Sequence, residues 1–337
     1  MVYVIALVFA LMMVLGHDLQ SLAASAPSKI VIAHAAMNAR VLPLWVAKEQ
    51  GFFAKYGAPS EVIFIRQAPT LVAALTSGDI QIGYTGGTAV LGAAAGGADL
   101  KILAAFTNRV TYDLVVRPGI KSPEDLRGKK FGVQSIGGTV WMGAILGLEY
   151  LGLDPNRDNV QLIAAGEQSV LAQALMVGTI DATVLDGVAS RYLQQKGFPI
   201  LIELGKLNLP ISSVGIVARG SFIQKNSQTI ENLLKALLEG EAFLVGPSNK
   251  VRVLNILKRY LRIGDQEAEE GYKDALTGLD RKPYPTVAGV RNVQRLMKLR
   301  NPNVEKVKVE ELIEDRFLKK LDESGFIDGL YATYGAK

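Results

Sequence analysis

Apolar and polar positions follow two different periods along the first third of the chain. Short apolar segments fit buried strands, and the longer segments between them carry apolar residues at helical spacing and stop at Gly51 and Gly78. The pattern predicts strands at residues 29–35, 61–66 and 80–84 and helices at residues 42–50 and 70–77. The predicted order is strand, helix, strand, helix, strand.

The same pattern recurs one hundred residues downstream. It predicts strands at residues 130–134, 160–164 and 180–185 and helices at residues 140–151 and 170–177. Sliding the chain against itself by one hundred positions aligns identical residues without a gap, among them Leu71 with Leu171 and Gly78 with Gly178. Strands and helices that alternate in this way form a parallel sheet with right-handed crossovers. We therefore expect two similar α/β units with a cleft between them.

Further strands are expected to connect the two units. Residues 101–106 and 112–117 fit strands between the copies, and residues 211–217 fit a strand after the second copy. A helical region follows from Thr229, with helical stretches at residues 254–262 and 309–320. We predict a discontinuous first lobe of residues 28–116 plus 216–337, on which the helical C-terminal region packs, and an inserted second lobe of residues 117–215. The two crossing strands would form a hinge.

The N-terminus has the form of a secretory signal peptide. Residues 2–16 are an apolar run too short to cross a bilayer comfortably, and the small-residue segment 21–26 follows. We predict a signal peptide at residues 1–24, cleaved after Ala23 or Ala24, although no Lys or Arg precedes the run. An uncleaved membrane anchor is the alternative. Because the sequence has no cysteine for a disulfide or a lipid anchor, we expect the mature protein to be free in the periplasm.

The composition argues against several other classes of protein. Hydrophobic residues make up 49% and charged residues 20% of the 337 residues, which is typical of a globular α/β protein. The net charge of +5 comes from basic residues, such as Lys129 and Lys306, that are dispersed among acidic ones. A nucleic-acid interface needs a clustered basic face with stacking aromatic side chains. We therefore predict no nucleic-acid partner.

Several motifs, in the same order along nearly the whole chain after residue 28, resemble one family. They are PLWVAKEQGFF at residues 43–53, ALTSGDI at 74–80, GYTG at 83–86, DLRGKKFGV at 125–133, GLDP at 152–155, DRFL at 315–318 and SGFID at 324–328. They resemble the solute-binding proteins of ABC importers in the nitrate, sulfonate, taurine and thiamine-precursor group.

That resemblance implies a type II periplasmic-binding fold of the α/β class. Each of its two lobes has a mostly parallel sheet flanked by helices, and the lobes close on a small molecule about a two-strand hinge. The resemblance also implies docking onto the permease and ATPase subunits of an ABC importer. It does not identify the ligand, because the group is chemically diverse.

Ligands of open α/β sheets bind beyond the carboxyl ends of the strands. The segments that follow the predicted strands are residues 35–40 and 85–88 in the first copy and 135–139 and 186–188 in the second. Glycines and hydroxyls there leave backbone N–H groups free at helix starts, where an anion can bind. The predicted ligand-binding residues are Asn38, Arg40, Thr85, Gly86, Gly87, Thr88, Arg109, Ser135, Gly137, Gly138, Thr139 and Asp186. Neither a metal nor a cofactor is predicted.

Alternatives stay open at several of these positions. The Gly-Gly pairs also fit ordinary tight turns, in which glycine supplies a positive φ. Asp186, which the repeat aligns with Gly86, either contacts a ligand or caps the next helix. Arg40 either pairs with an anionic ligand group or lies at the rim of the cleft, and the rim is the preferred position. Trp141 and Glu167 are further candidates, Trp141 rather as part of the core or wall.

The predicted function is capture of a small anionic or zwitterionic organic molecule by a monomeric, periplasmic component of an ABC importer. The main alternative is an enzyme on the same fold, such as a thiamine-pyrimidine synthase or a menaquinone-pathway lyase. After removal of the signal peptide only His34 remains, so neither a two-His metal set nor a Cys–His pair can form. We therefore expect a protein that is not an enzyme, with His34 in a structural role. A ligand-sensing domain of a regulator or receptor is the weaker third alternative.

Overall fold

The computed structural model describes residues 29–336, so the predicted signal peptide and Ser28 lie outside the described residues. The strands are β1 (Ile30–His34), β2 (Ser60–Phe64), β3 (Ile82–Thr85), β4 (Leu100–Arg109), β5 (Asp113–Val116), β6 (Lys130–Val133), β7 (Gln161–Ala164), β8 (Ala182–Leu185), β9 (Ile200–Glu203) and β10 (Pro210–Arg219). Within residues 29–336, none of the helices combines the length and the apolar character that a membrane span requires.

The ten strands form two sheets of the same topology. The first sheet has the order β2, β1, β3, β10, β4 and the second has the order β7, β6, β8, β5, β9. In each sheet the first three strands are parallel and the fourth runs antiparallel to its neighbours. The strand order therefore confirms the two similar α/β units and the fold class expected from the repeat.

Helices alternate with the parallel strands as the periodicity predicts. In the first unit they are α1 (Leu42–Glu49), α2 (Phe52–Lys55), α3 (Ala68–Ser77) and α4 (Gly87–Ala95), and in the second α5 (Thr139–Tyr150), α6 (Gln168–Met176) and α7 (Gly187–Gln195). A short 3-10 helix, Ala39–Val41, follows β1. Gly78 adopts a φ of 98° at the end of α3 and Gly51 a φ of 72° before α2, so the glycine stop signals coincide with left-handed backbone.

The C-terminal third is helical and packs mainly on the first sheet. Its helices are α8 (Gly220–Lys225), α9 (Ser227–Val245), α10 (Lys250–Leu261), α11 (Asp265–Gly278), α12 (Val287–Lys298), α13 (Arg316–Glu323) and α14 (Phe326–Thr333). The helix predicted at residues 309–320 is wrong in one respect. It is divided into a 3-10 turn, Val309–Leu312, and α13, because Ile313 forms a parallel bridge to Ile102 of β4.

Helix α11 also reaches the second lobe, which the sequence did not indicate. A Cβ on Gly271 would lie 3.0 Å from the Val188 side chain of α7. The fit shows that α11 and α7 pack closely at this point. The C-terminal region thus connects the lobes as well as covering the first sheet.

The chain crosses between the sheets twice, at adjacent positions. The first crossing joins β4 to β5 and the second joins β9 to β10, and the Val110 N–H donates to the Leu209 carbonyl across the two segments (3.0 Å). The boundaries expected after residue 116 and before residue 216 would place β5 in the first lobe and divide β10 between the two lobes. In residues 29–336, strand β5 pairs within the second sheet and β10 within the first. We propose that the lobes meet at residues 110–112 and 204–209.

Candidate functional site between the lobes

Two helices, one from each lobe, begin at the same point of the interface. Helix α4 follows β3 and has Gly86 as its N-cap, and α5 of the second lobe has Gly138. A Cβ on Gly86 would lie 2.5 Å from the Ser213 carbonyl oxygen and 3.1 Å from the Thr139 hydroxyl. In the part of the chain that the structure describes, no side chain caps either helix. The first backbone N–H groups of both helices are therefore available to a ligand.

The close approach of neighbouring atoms, rather than a positive φ, explains why glycine occupies most of these positions. A Cβ on Gly87 would lie 2.7 Å from the Ser212 hydroxyl, and one on Gly138 would lie 2.7 Å from the Ser135 hydroxyl. Only Gly137 of the four predicted glycines has a left-handed φ, +83°. The tight-turn alternative therefore describes Gly137, which has open space around it, and not its three counterparts.

A small cavity, termed the inner cavity, lies where these two helix starts meet. Its volume is about 60 Å³. Eight of the predicted residues line it: Asn38, Arg40, Thr85, Gly86, Thr88, Ser135, Gly138 and Thr139. Other residues of the wall were not predicted from the sequence, namely Tyr84, Tyr112, Gln134 and Ser213. The inner cavity is thus formed by residues that follow β1, β3 and β6, together with the crossing segment. This is the position at which ligands of open α/β sheets are expected, beyond the carboxyl ends of the strands.

Arg40 lies inside the interface and not at its rim, so the preferred position given from the sequence is wrong. The side chain is 3% exposed. Its Nε donates to the Thr111 hydroxyl (2.8 Å) and its Nη2 to the Thr111 carbonyl (3.2 Å), while the guanidinium covers the Tyr112 ring at 4.1 Å. Arg40 Nη1 is buried without a partner among residues 29–336. Arg40, which lines the inner cavity, thus has one charged donor without a partner in the described residues.

The corresponding helix start of the second lobe is occupied by the protein's own carboxylates. Asp186 Oδ1 accepts from the Ala189 N–H (3.2 Å) and caps α7. Asp274 of α11 packs against Gly187, where a Cβ would lie 3.1 Å from the Asp274 Cβ atom. Arg40 Nη2 lies 3.7 Å from Asp274 Oδ2. The helix-cap alternative is therefore observed for Asp186.

Burial is the largest influence on the pKa values of Asp186, Asp274 and Arg40. It raises the pKa of the Asp186 carboxyl and raises that of Asp274 to about 6, although Arg40 opposes both shifts. Burial also disfavours the charged form of Arg40, but Tyr112 and the carboxylates of Asp274 and Asp186 outweigh it and raise the guanidinium pKa. Arg40 therefore stays charged, beside two acids that hold protons more tightly than exposed aspartates.

Three predicted or considered residues lie away from the inner cavity. Arg109 donates to Asp280 Oδ1 (3.0 Å) and to the carbonyls of Thr277 and Leu279, and so ties the end of β4 to the end of α11. Trp141 is buried in the core of the second lobe. His34 is buried between Trp45 and Phe64, with Nδ1 2.8 Å from the Ala36 carbonyl. Burial lowers the pKa of its imidazole, in accordance with a structural role.

A larger space, termed the outer cavity, adjoins the inner one. Its volume is about 490 Å³. Asn38 lines both cavities, and Asp186 and Glu167 line the outer one. The residues missed by the sequence analysis include Met37, Phe64, Arg66, Gln168, Met176, Tyr192 and Tyr260. Applying the strand-end rule to the outer strands β2 and β7 would have indicated Arg66 and Gln168, whereas Tyr260 of α10 carries no local signal.

The arrangement of titratable groups gives no sign of a metal centre. In the described residues, no group of three or more His, Asp or Glu side chains is placed to hold a metal ion. The polar groups of the inner cavity are instead hydroxyls, the amides of Asn38 and Gln134, backbone N–H groups and one guanidinium. These groups can bind an anionic group by hydrogen bonds.

Comparisons with known proteins agree with this architecture. A protein of Brucella abortus named as a putative binding protein is 25% identical over 238 residues, covering 68% of this chain and 70% of its own. The taurine-binding periplasmic protein of Escherichia coli is 27% identical over 203 residues, covering 59% of this chain and 62% of its own.

Solved structures show the same fold. The alkanesulfonate-binding protein SsuA of Xanthomonas axonopodis superposes with a TM-score of 0.69 at 18% identity, covering 87% of this chain and all of that one. The periplasmic nitrate-binding protein NrtA of Synechocystis gives a TM-score of 0.72 at 15% identity, covering 89% and 90%. The family described as NMT1/THI5 like matches residues 38–248. With more than half of its length matched, the chain belongs to the NMT1/THI5-like family.

Proposed function

We propose that the protein is the solute-binding component of an ABC importer and captures a small organic molecule that carries an anionic group. The inner cavity would hold the anionic group. The relatives named as binding proteins, one of them periplasmic and taurine-binding, support a solute-binding role. Periplasmic location and delivery to permease and ATPase subunits are part of the proposal.

The observation that carries the proposal is the convergence of unused donors at the inner cavity. Two helix starts without side-chain caps in residues 29–336, at Gly86 and Gly138, present N–H groups and the positive ends of helix dipoles. Arg40 Nη1 adds a charged donor that has no partner in the described residues. A buried donor without a partner costs about 1–3 kcal/mol. An anionic group would supply the missing acceptor.

Both lobes contribute to this cavity, which would couple binding to closure. Thr85 and Thr88 come from the first lobe, and Ser135 and Thr139 come from the second. A ligand that contacts both sides favours the closed arrangement by its difference in affinity for the two states. The permease would then distinguish the loaded form from the empty one.

A zwitterionic solute is compatible with the same site. Asp186 is buried next to the outer cavity, and Glu167 and Glu267 also line that space. Each carboxylate can accept a hydrogen bond from an ammonium group. The anionic part would still lie at Arg40.

We infer binding rather than catalysis. His34, the only histidine after residue 28, is buried and bonded to a carbonyl of its own loop. Burial lowers the pKa of its ring, so it holds a proton weakly. The fold also permits the enzyme alternative, but no contact among residues 29–336 specifically favours it.

The proposal is tested by a thermal-shift screen of small organic anions followed by titration of the best one. A ligand at a hundred times its Kd adds about 2.7 kcal/mol to the stability of the folded state. We expect Arg40→Lys, which keeps the charge but loses the guanidinium fork, to lower the affinity about tenfold or more. Arg109→Lys is the matched control and should bind as wild type does. Equal affinities of the two variants would contradict the proposed site.

Location and assembly are tested separately. The full-length chain, expressed in its host, should be recovered in the periplasmic fraction as a monomer by light scattering. Recovery in the cytoplasm would contradict the importer proposal, and recovery in the membrane fraction would favour the uncleaved anchor.

A further inference from the structure

The outer cavity has the size and position of a compartment for the main body of the solute. At about 490 Å³ it falls in the range of small-molecule sites, whereas the inner cavity, about 60 Å³, has room for only a few atoms. Asn38 lines both spaces, and Gln134 of the inner wall donates to Glu167 of the outer wall (2.9 Å). The two cavities are therefore parts of one interlobe site.

A residue with a strained backbone conformation, Gln67, lies between two residues that line the two cavities. Arg66 lines the outer cavity and Ala68 the inner one, and Gln67 between them has a φ of +76°. A residue other than glycine pays about 1–3 kcal/mol in such a conformation, and such residues concentrate at ligand sites. The strained turn places its two neighbours in the walls of the two compartments.

The walls of the outer cavity suit a flat apolar group. Phe64, Met176 and Tyr192 line the cavity and keep 38–39% of their surface exposed. Tyr260 is held in place, because its ring stacks on Trp45 at 4.5 Å and its hydroxyl donates to Glu49 (2.8 Å). An aromatic ring of the solute would bury these surfaces and stack against them.

The polar groups of the same cavity restrict the charge of that body. Glu167, Asp186 and Glu267 line it, against one basic residue, Arg66. A second negative charge on the solute would be repelled there. Gln168 also lines the cavity, and its Oε1 accepts from the Asp186 N–H (3.1 Å) while its Nε2 is buried with no partner in the described chain.

We propose that the solute is a two-part aromatic anion: a compact anionic head in the inner cavity and an uncharged or cationic aromatic body in the outer cavity. The inference rests on the proposed function for the head and adds the class of the body. Specificity for the body is then a property of Phe64, Tyr192 and Tyr260.

Matched probes separate the two compartments. Calorimetry compares methanesulfonate, benzenesulfonate and naphthalene-2-sulfonate, and in parallel acetate, benzoate and 2-naphthoate, so that each series shares one head. In at least one series we expect the aryl members to bind about tenfold more tightly, or more, than the methyl member. Tyr192→Ala should reduce that advantage and leave the methyl member unchanged. Tyr150→Ala, an exposed tyrosine on α5, is the control and should change neither.

Each other outcome counts against a specific statement. If aryl and methyl members bind equally, or if Tyr192→Ala leaves the aryl advantage intact, the two-part assignment is wrong while capture of an anion stands. If none of the six probes binds, the capture of an anion in the inner cavity is contradicted and the two-part solute with it.

Discussion

Helices α4 and α7 follow equivalent strands of the two sheets. The N-terminus of α4 is open, whereas that of α7 is filled by carboxylates of the chain. Helix α4 has Gly86 as its N-cap, and no side chain within residues 29–336 caps it. Helix α7 has Asp186 as its N-cap, one hundred residues later; Asp186 caps the helix with its side chain, and Asp274 packs on the next residue. The same backbone thus offers donors to the cavity in one lobe and to its own carboxylates in the other.

The difference shows how a repeated scaffold acquires a single binding site. Duplication supplies equivalent strand ends and helix starts, and each start can hold an anion. A carboxylate of the chain fills the α7 start, while glycines keep the α4 and α5 starts free. The choice of ligand position therefore follows from the mismatches between the copies.

The largest effect is expected from a substitution that blocks the open N-terminus of α4. Gly86→Ala would place a Cβ 2.5 Å from the Ser213 carbonyl oxygen, so β10 or the lobe contact must move. We expect a loss of about 1–3 kcal/mol in the free energy of unfolding, and a loss of ligand affinity of about tenfold or more. Gly329→Ala, in open space on α14, should instead be neutral or stabilising by up to about 1 kcal/mol. Wild-type affinity of Gly86→Ala in a titration would remove the open start from the site.

A second prediction tests the filled start through pH. Burial raises the pKa of Asp274 to about 6 in the folded protein. The folded state therefore holds this proton more tightly than the unfolded chain, and the resulting stability is present below about pH 4 and is lost as the pH rises through 6. In Asp274→Asn, the decrease in unfolding free energy between pH 4.5 and pH 7.5 should be smaller by about 1–3 kcal/mol.

Urea unfolding at the two pH values measures this difference. Asp328→Asn, which removes an exposed carboxyl on α14, serves as the control variant at the same two pH values. The same pH dependence in Asp274→Asn and wild type would mean that Asp274 is not desolvated at the lobe contact.

The smallest effect separates the two roles that the sequence left open for Asp186. Asp186→Asn and Asp186→Ala both remove the charge, but only Asn keeps the cap. We expect Asp186→Ala to be less stable than Asp186→Asn by about 1 kcal/mol in urea unfolding. Asp186→Asn should bind an anionic ligand at least as tightly as wild type. A tenfold loss of affinity in Asp186→Asn would show that the carboxylate contacts the ligand.

The sequence predicted the architecture well because periodicity and glycine stops are local signals. Strands β1 to β3 and β6 to β8 and the helices between them lie close to their expected positions. The lobe to which each crossing strand belongs could not be predicted, because a short segment such as Asp113–Val116 does not reveal which sheet it joins. Residues 309–320 likewise have helical spacing, but a bridge to β4 interrupts the helix at Ile313.

The walls of the candidate site could be predicted where they depend on strand ends and could not where they depend on distant packing. Eight residues of the inner cavity follow from the strand-end rule. The depth of Arg40 depends on Thr111 and Tyr112, which the crossing segment brings over it. Tyr260 and Asp274 come from C-terminal helices whose sequence is typical of amphipathic helices in general. Only the folded chain brings these residues to the interface.

A crystal structure of the protein with its tightest anion from the screen tests the central claim most directly. We predict that the anionic group lies in the inner cavity, within hydrogen-bond distance of Arg40 Nη1 and of backbone N–H groups that follow Gly86 and Gly138. An anionic group bound at the start of α7 beside Asp186, or outside the cleft between the lobes, would contradict the account.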